Sequence, residues 1–428
     1  MRIALLAPLI APIAQPFIGG AQAMLRDLAV GLAARGHQVT LYAADGSDPA
    51  ALAGVRLITV GVDPATLRPA RFAPASGNTT PLPGAPVKPT TPDTRDSGDA
   101  PVDPAAAAAA DDLMDRAFAQ AYAVIASHAD EHDLLHAHAY DWPAFAYAAR
   151  QPLPTLHTLH LPAGDPHILR ELATLAPPIP TANDQIVATP ENHPIATTPA
   201  SLPSPFGGGA GGGGRVSLVT VSHACAATYA PHCRIDAIIY NGIDIERIPF
   251  GAQADAEGYL LYAGRITPEK GVEDALEIAS RSGRPLLLAG GVYDQAYYDA
   301  QIAPRLAAMD GQAQYLGQVT RERLWELMAG AVAVLCPSHW AEPFGLVACE
   351  AQAAGAPVIA YARGGLVEVI ADGVTGSLVA PGDLEAATHA VARAPTLDRA
   401  ACRAHVATRF SLARMLTDYE DHYGRMLA

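Results

Sequence analysis

The opening stretch MRIALLAPLIAPIAQPFIGGAQAMLRDLAVGLAARGHQVTLYA, residues 1–43, decides the fold. Arg2–Pro8 reads as a short strand buried on both faces. A loop through Gly19-Gly20 follows, then Ala21–Arg35 with Met24, Leu25, Leu28 and Leu32 at helical spacing. Gly36 suits the residue that closes a helix, and His37–Ala43 forms a second strand with Val39 and Leu41 inward. Strand, glycine turn, helix and strand in this order open a doubly wound parallel sheet. Arg2, the apolar run Ile3–Ile13 and Ala21-Gln22-Ala23 together mimic a secretion signal. Pro8 and Pro12 break that run, and the glycine pair sits where cleavage would fall, so the structural reading is adopted.

The same alternation returns in the second half. Tyr259–Ala263, Pro285–Ala289, Val332–Cys336 and Pro357–Ala360 read as strands, with helices over Glu273–Ser280, Leu324–Gly330 and Leu346–Ala354. A chain of 428 residues is too long for one ordinary domain. Two α/β halves in tandem are therefore expected: an N-terminal domain over 1–235, a C-terminal domain over 236–408, and a last segment, 409–428. Two stretches interrupt the pattern. Residues 73–110 hold many prolines and end in six alanines, and 177–214 end in a glycine run. Both compositions read as flexible insertions, because they bury too little to offset ordering entropy. No Lys-Ser/Thr follows the glycine run, as a P-loop would require.

Composition narrows the function. Half the residues are apolar and 17% are charged, as in a packed globular chain. Acidic residues outnumber basic ones 43 to 28, a net charge of −15, which disfavours nucleic acid and leaves at most weak peripheral contact with a membrane. No apolar run is long enough for a spanning helix. Five cysteines without a C-x-x-C pair fit a reducing cytoplasm.

Four constellations carry chemistry. In Ser338-His-Trp-Ala-Glu-Pro-Phe-Gly-Leu-Val-Ala-Cys-Glu350, Pro343 and Gly345 keep Glu342 on a loop while Glu350 falls on the next helix. A helical path would separate the two carboxylates by about 12 Å, which suits two contacts on one elongated ligand. Arg265 and Lys270 follow a strand end, where open α/β sheets bind ligands, although surface pairing with Glu269 or Glu273 explains them equally well. Gly364-Gly365 precedes a helix start and offers backbone N–H groups to an anion, as does Gly19-Gly20. His136 and His138 share a strand face, with His157 and His160 nearby. No cysteine or compact acidic set accompanies them, so polar cleft lining is preferred to zinc and no metal is expected.

Taken together, these motifs resemble the retaining glycosyltransferases of the GT-B fold, nearest to family four, also called the group 1 transferases. The resemblance rests on Gly19-Gly20, Arg35-Gly36-His37, His-Ala-His, Asn241-Gly242, Gly264-Arg265 to Lys270-Gly271, E-P-F-G to Glu350, and Gly364-Gly365-x-x-Glu368. It implies two Rossmann-like domains facing across a cleft, with the last helix crossing back to the first. It implies transfer of a hexosyl group from a nucleotide-diphosphate sugar, UDP-linked first and GDP-linked second. The acceptor would be a hydroxyl of a sugar, a lipid-linked glycan or a small molecule. Arg265 and Lys270 would hold the diphosphate, Glu342 the donor sugar and Glu350 the ribose. Gly19, Gly20, Phe344, Gly345, Gly364 and Gly365 would close around sugar and phosphates through their backbones. His138 would line the cleft at the reacting sugar, His160 would face the acceptor, and the base would pack near Gly290 and Val319. No cofactor is implied. Gln22 stands where many members carry Glu, and the glycine run interrupts the acceptor side. The alternatives are a nucleotide-sugar epimerase and a non-catalytic nucleotide-sugar-binding protein on the same fold.

Overall fold

The computed structural model describes residues 1–15, 20–67, 104–178, 216–255 and 258–428. The first half builds one parallel sheet. Its strands are β1 (Arg2–Leu6), β2 (Gln38–Ala43), β3 (Arg56–Thr59), β4 (Leu134–Ala137), β5 (Thr155–Leu159), β6 (Val216–Thr220) and β7 (Ala237–Ile238), in the order β3-β2-β1-β4-β5-β6-β7. The second half builds another from β8 (Leu260–Ala263), β9 (Leu286–Ala289), β10 (Ala313–Gly317), β11 (Ala333–Cys336), β12 (Val358–Tyr361) and β13 (Gly376–Val379), in the order β10-β9-β8-β11-β12-β13. Strands such as β4 and β8 are buried along their whole length, which is why they read as apolar runs and do not alternate.

Strand order reverses once in each sheet, between β1 and β4 and between β8 and β11. The loops leaving such neighbouring strands part in opposite directions and open a crevice at their carboxyl ends. In the first half this places the chain leaving β1 at Ala7 beside His138, whose N donates to the Leu6 carbonyl. In the second it places Gly264–Gly271 beside Ser338–Gly345. These are the segments that carry the candidate residues.

The helix Gly20–Ala34 buries Met24, Leu25, Leu28 and Leu32 on β1 and β2. The C-terminal helix Leu412–Leu427 returns to this half, as expected, and adds Met415, Leu416, Tyr419, Tyr423 and Met426 to the same cluster. Arg35 secures it from the surface, with Nη1 2.5 Å from Glu420 Oε2 and Nη2 donating to the Ala413 carbonyl at 2.7 Å. A second buried cluster runs from Phe145 and Leu218 of the first half through Ile243 to Phe344 and Phe410. The two halves therefore share apolar interior.

The alanines 105–110 depart from expectation. They are not part of a flexible insertion but form the early turns of the helix Pro104–Ser127. Alanine has the highest helix propensity and proline is favoured at the first position, so this tract starts a helix despite the proline-rich segment before it. The remainder of the first insertion, nearly all of the second, and Gly19 lie outside the described residues. The first sheet continues to Ile238, past residue 235. Among the described residues no helix is long and apolar enough to cross a membrane.

Candidate active site

In the second half, the loops after β8, β9 and β11 meet. Gly290 has φ +153°, and a Cβ there would lie 1.8 Å from the Gly264 carbonyl oxygen, so only glycine lets these two loops touch. A single turn, Pro268–Lys270, closes on Gly271 at φ +69°. Within it the Glu269 carbonyl accepts from His339 N at 2.9 Å and from Ser338 Oγ at 3.3 Å. That stitching brings Lys270 Nζ within 2.6 Å of Glu342 Oε1, both side chains about one-fifth exposed at 18% and 20%. Gly365 N donates to the Glu342 carbonyl at 2.6 Å, so the glycine pair backs the same loop. Arg265 stands further out, with its side chain 46% exposed. It lies 3.4 Å from Glu269 Oε1, and its guanidinium is 5.6 Å from the ring centre of Tyr293.

Gly345, left-handed at φ +103°, precedes the helix Leu346–Ala353. The Phe344 side chain packs inward against Tyr240 and Phe410, so it is the backbone there that faces the loop region. One turn further, Glu350 is 6% exposed and is gripped by Arg321, whose Nε and Nη2 lie 2.9 and 2.8 Å from its Oε1.

A cavity of about 650 Å³ opens between the halves. Gly20 and Ala23 line it from the first half, and Arg265, Gly290, Val319 and Glu350 from the second. A Cβ on Gly20 would lie 2.7 Å from Leu346 Cδ1, so the N-termini of the helices Gly20–Ala34 and Leu346–Ala353 converge here. The dipoles of two helix starts favour an anion between them. Lys270, Glu342, His138, His160, Phe344, Gly345, Gly364 and Gly365 are outside this lining. The expected residues thus form one cavity set, one Lys270–Glu342 set and one histidine set.

The histidine set lies at the ends of β4 and β5. His138 N donates to the Leu6 carbonyl at 2.9 Å, fixing the residue beside β1. Its Nδ1 is 2.9 Å from His160 Nε2, while its own Nε2 is buried with no hydrogen-bond partner among the described residues. His136 makes a different use of its ring: Nδ1 meets Tyr423 Oη at 2.6 Å and Nε2 meets Thr158 Oγ1 at 2.7 Å. Both of its nitrogens are thereby engaged, which fits a tie to the C-terminal helix better than a metal ligand. Burial holds His138 well below the usual imidazole value and lowers His160 to about 4 and His157 to about 3. These imidazoles are neutral near pH 7.

Polar ties also cross between the halves. Glu368, from the G-G-x-x-E element, accepts from His223 N at 2.9 Å, Ala224 N at 2.7 Å and Tyr240 Oη at 2.7 Å. It caps the helix His223–Tyr229 from the other half. Ser222 Oγ accepts from Cys225 N at 2.9 Å and donates to the Pro343 carbonyl at 2.5 Å. Sequence reasoning missed Asp27, Arg321 and Tyr293. The trace of Arg321 was a cation in the first helical turn, where the dipole disfavours it.

Comparison with known proteins follows this geometry. Residues 244–404 match the family described as glycosyl transferases group 1. A glycogen synthase of Mycobacterium tuberculosis is 30% identical over 299 residues, 67% of this chain and 65% of that protein. A D-inositol 3-phosphate glycosyltransferase of Mycolicibacterium paratuberculosis is 30% identical over 302 residues, 65% of this chain and 63% of that protein. The chain thus spans somewhat under two thirds of the length of these relatives. The Anabaena protein HepE, solved in complex with UDP and glucose, superimposes with a TM-score of 0.64 at 17% identity, covering 99% of both chains.

Proposed function

As the chain belongs to the group 1 glycosyltransferases and has the GT-B fold, we propose that it moves a hexosyl group from a nucleotide-diphosphate sugar to an acceptor hydroxyl with retention at the anomeric carbon. UDP is the first choice of nucleotide and GDP the second. The observation that carries this reading is the cavity between the switch points, where Arg265 and Glu350 share a wall and two helix N-termini converge.

In this reading the base packs along Gly290 and Val319, and Glu350 takes the ribose. Arg265 and the Leu346 helix start receive the diphosphate. The Lys270–Glu342 pair stands at the sugar end, the ammonium toward phosphate and the carboxylate toward sugar hydroxyls. The bond from the anomeric carbon to the phosphate oxygen breaks with its electrons going to the phosphate. The acceptor oxygen bonds the same carbon on the same face, and its proton passes to the departing phosphate oxygen. Fixed cations and N–H groups aimed at that oxygen stabilise the transition state more than the ground state. Buried, neutral His138 offers its Nε2, which has no partner among the described residues, to a sugar hydroxyl without adding charge beside the developing cation. Five unpaired cysteines fit the reducing cytoplasm proposed for the reaction.

Thermal denaturation in the presence of UDP-, GDP- and ADP-sugars tests the proposal. One nucleotide class should stabilise the protein, by about 2.7 kcal/mol at a hundred times its dissociation constant. Absence of stabilisation by all three would remove the donor assignment.

A further inference from the structure

Glu350, the proposed ribose contact, is not held by its own half alone. Arg321 begins the helix Arg321–Gly330, lies in the cavity wall, and places Nε and Nη2 on one oxygen of Glu350, Oε1. Its Nη1 reaches across the cleft to Asp27 Oδ2 at 2.8 Å. Asp27 sits on the helix Gly20–Ala34 and is 3% exposed. Its Oδ1 takes Arg26 Nη1 at 2.7 Å, and Arg247 Nη1 lies 3.8 Å away. Trp325 covers the Arg321 guanidinium from one side, 4.8 Å from the ring centre.

The arrangement is costly by two independent rules. Arg321 occupies a helix N-terminus, where a cation opposes the dipole, and it is largely removed from water. Burial alone would lower its basicity, but Glu350 and Asp27 together raise it. A guanidinium is suited to this position, since its planar fork serves two carboxylates at fixed angles.

We propose that Asp27 is a positioning residue for the nucleotide site: it anchors Arg321 from the first half, and Arg321 fixes Glu350 by Oε1 so that Oε2 is presented to the ribose hydroxyls. This rests on the nucleotide-sugar reading above. Glu350 is then correctly placed only when the halves are closed as they are here. Closure strengthens nucleotide binding, and nucleotide binding favours closure by the same factor. Glu368 and Ser222 also bridge the halves, but neither touches a residue assigned to the ribose.

The test is titration of UDP (or GDP or ADP, whichever the wild type binds) into the whole 428-residue chain and its variants, with donor KM and kcat measured beside it. Asp27→Asn keeps the shape and removes the charge. It should weaken nucleotide binding and raise donor KM by about tenfold, with kcat falling by less than that. Asp27→Glu should restore part of the affinity. Arg321→Lys, which keeps charge but loses the fork, should reproduce the loss even if Asp27→Asn folds poorly. A role confined to folding would lower the active fraction and leave KM where it was. Asp27→Asn and Arg321→Lys binding nucleotide as tightly as wild type would overturn the role of Asp27 alone. A wild type that binds no nucleotide would overturn the transferase reading instead.

Discussion

The two crevice edges are built from opposite materials. At β1 and β4 the first half presents histidines that burial keeps neutral and that pair with one another or with hydroxyls. At β8 and β11 the second half presents full charges in partly solvated pairs, Lys270 with Glu342 and Arg265 with Glu269. Under the proposed transfer, the contrast is a division of labour. A diphosphate needs cations, and a reacting sugar beside a developing positive charge needs hydrogen bonds without a competing cation.

The sharpest way to break this contrast is to remove a cation. Arg265→Ala or Lys270→Ala should lower kcat by about 10²-fold or more, as when a preorganised donor is lost. Steady-state kinetics at saturating donor decide it, and wild-type turnover in either variant would void the charged edge. His138→Phe should cost less and leave nucleotide affinity unchanged.

Acid stability separates the edges by sign. His157, His160 and His422 are lowered by burial to about 3, 4 and 4. The unfolded chain binds their protons first, near pH 6.5. Their contribution is therefore complete above that pH and is lost as pH falls toward 4, at about 1.4 kcal/mol per pH unit for each histidine. His339 behaves oppositely. Its hydrogen bond with Asp274, 3.0 Å away, raises it, so its contribution is present below pH 6.5 and disappears as pH rises through the raised value. Urea denaturation from pH 5 to 8 should show a steep acid limb that His157→Phe flattens. Asp274→Asn should leave the slope of that limb unchanged and cost more stability on the acid side of neutrality than above it, where only the bond from Tyr361 Oη is lost.

The smallest expected effect concerns the seam between the edges. Ser222→Ala removes both a helix cap and the bond to the Pro343 carbonyl, and should lower stability by about 1 kcal/mol in the same assay. A larger loss would mean that the seam, and not each edge, governs the E-P-F-G loop.

Much of the architecture was legible from local rules. Met24, Leu25, Leu28 and Leu32 recur at helical spacing, and the strand–glycine–helix order announced both sheets, because periodicity and turn chemistry act over a few residues. The alanine tract 105–110 was misread since its neighbourhood, not its own propensity, was weighed. In the site, Arg265, Glu350, Gly290 and Val319, each singled out in the sequence, line one cavity, but the pairing of Lys270 with Glu342 and the capping role of Glu368 were not visible in their spacing.

What the amino-acid order determined by itself was the kind of elements, their succession, and the set of ionisable groups delivered to the strand ends, since each follows from neighbours within a few turns of chain. Only the tertiary structure decided which of those groups meet. Asp27 and Arg321 are 294 positions apart, and nothing local to either encodes the other. Their contact exists because the two sheets close on a shared crevice, where burial makes an unpaired charge too costly to leave alone.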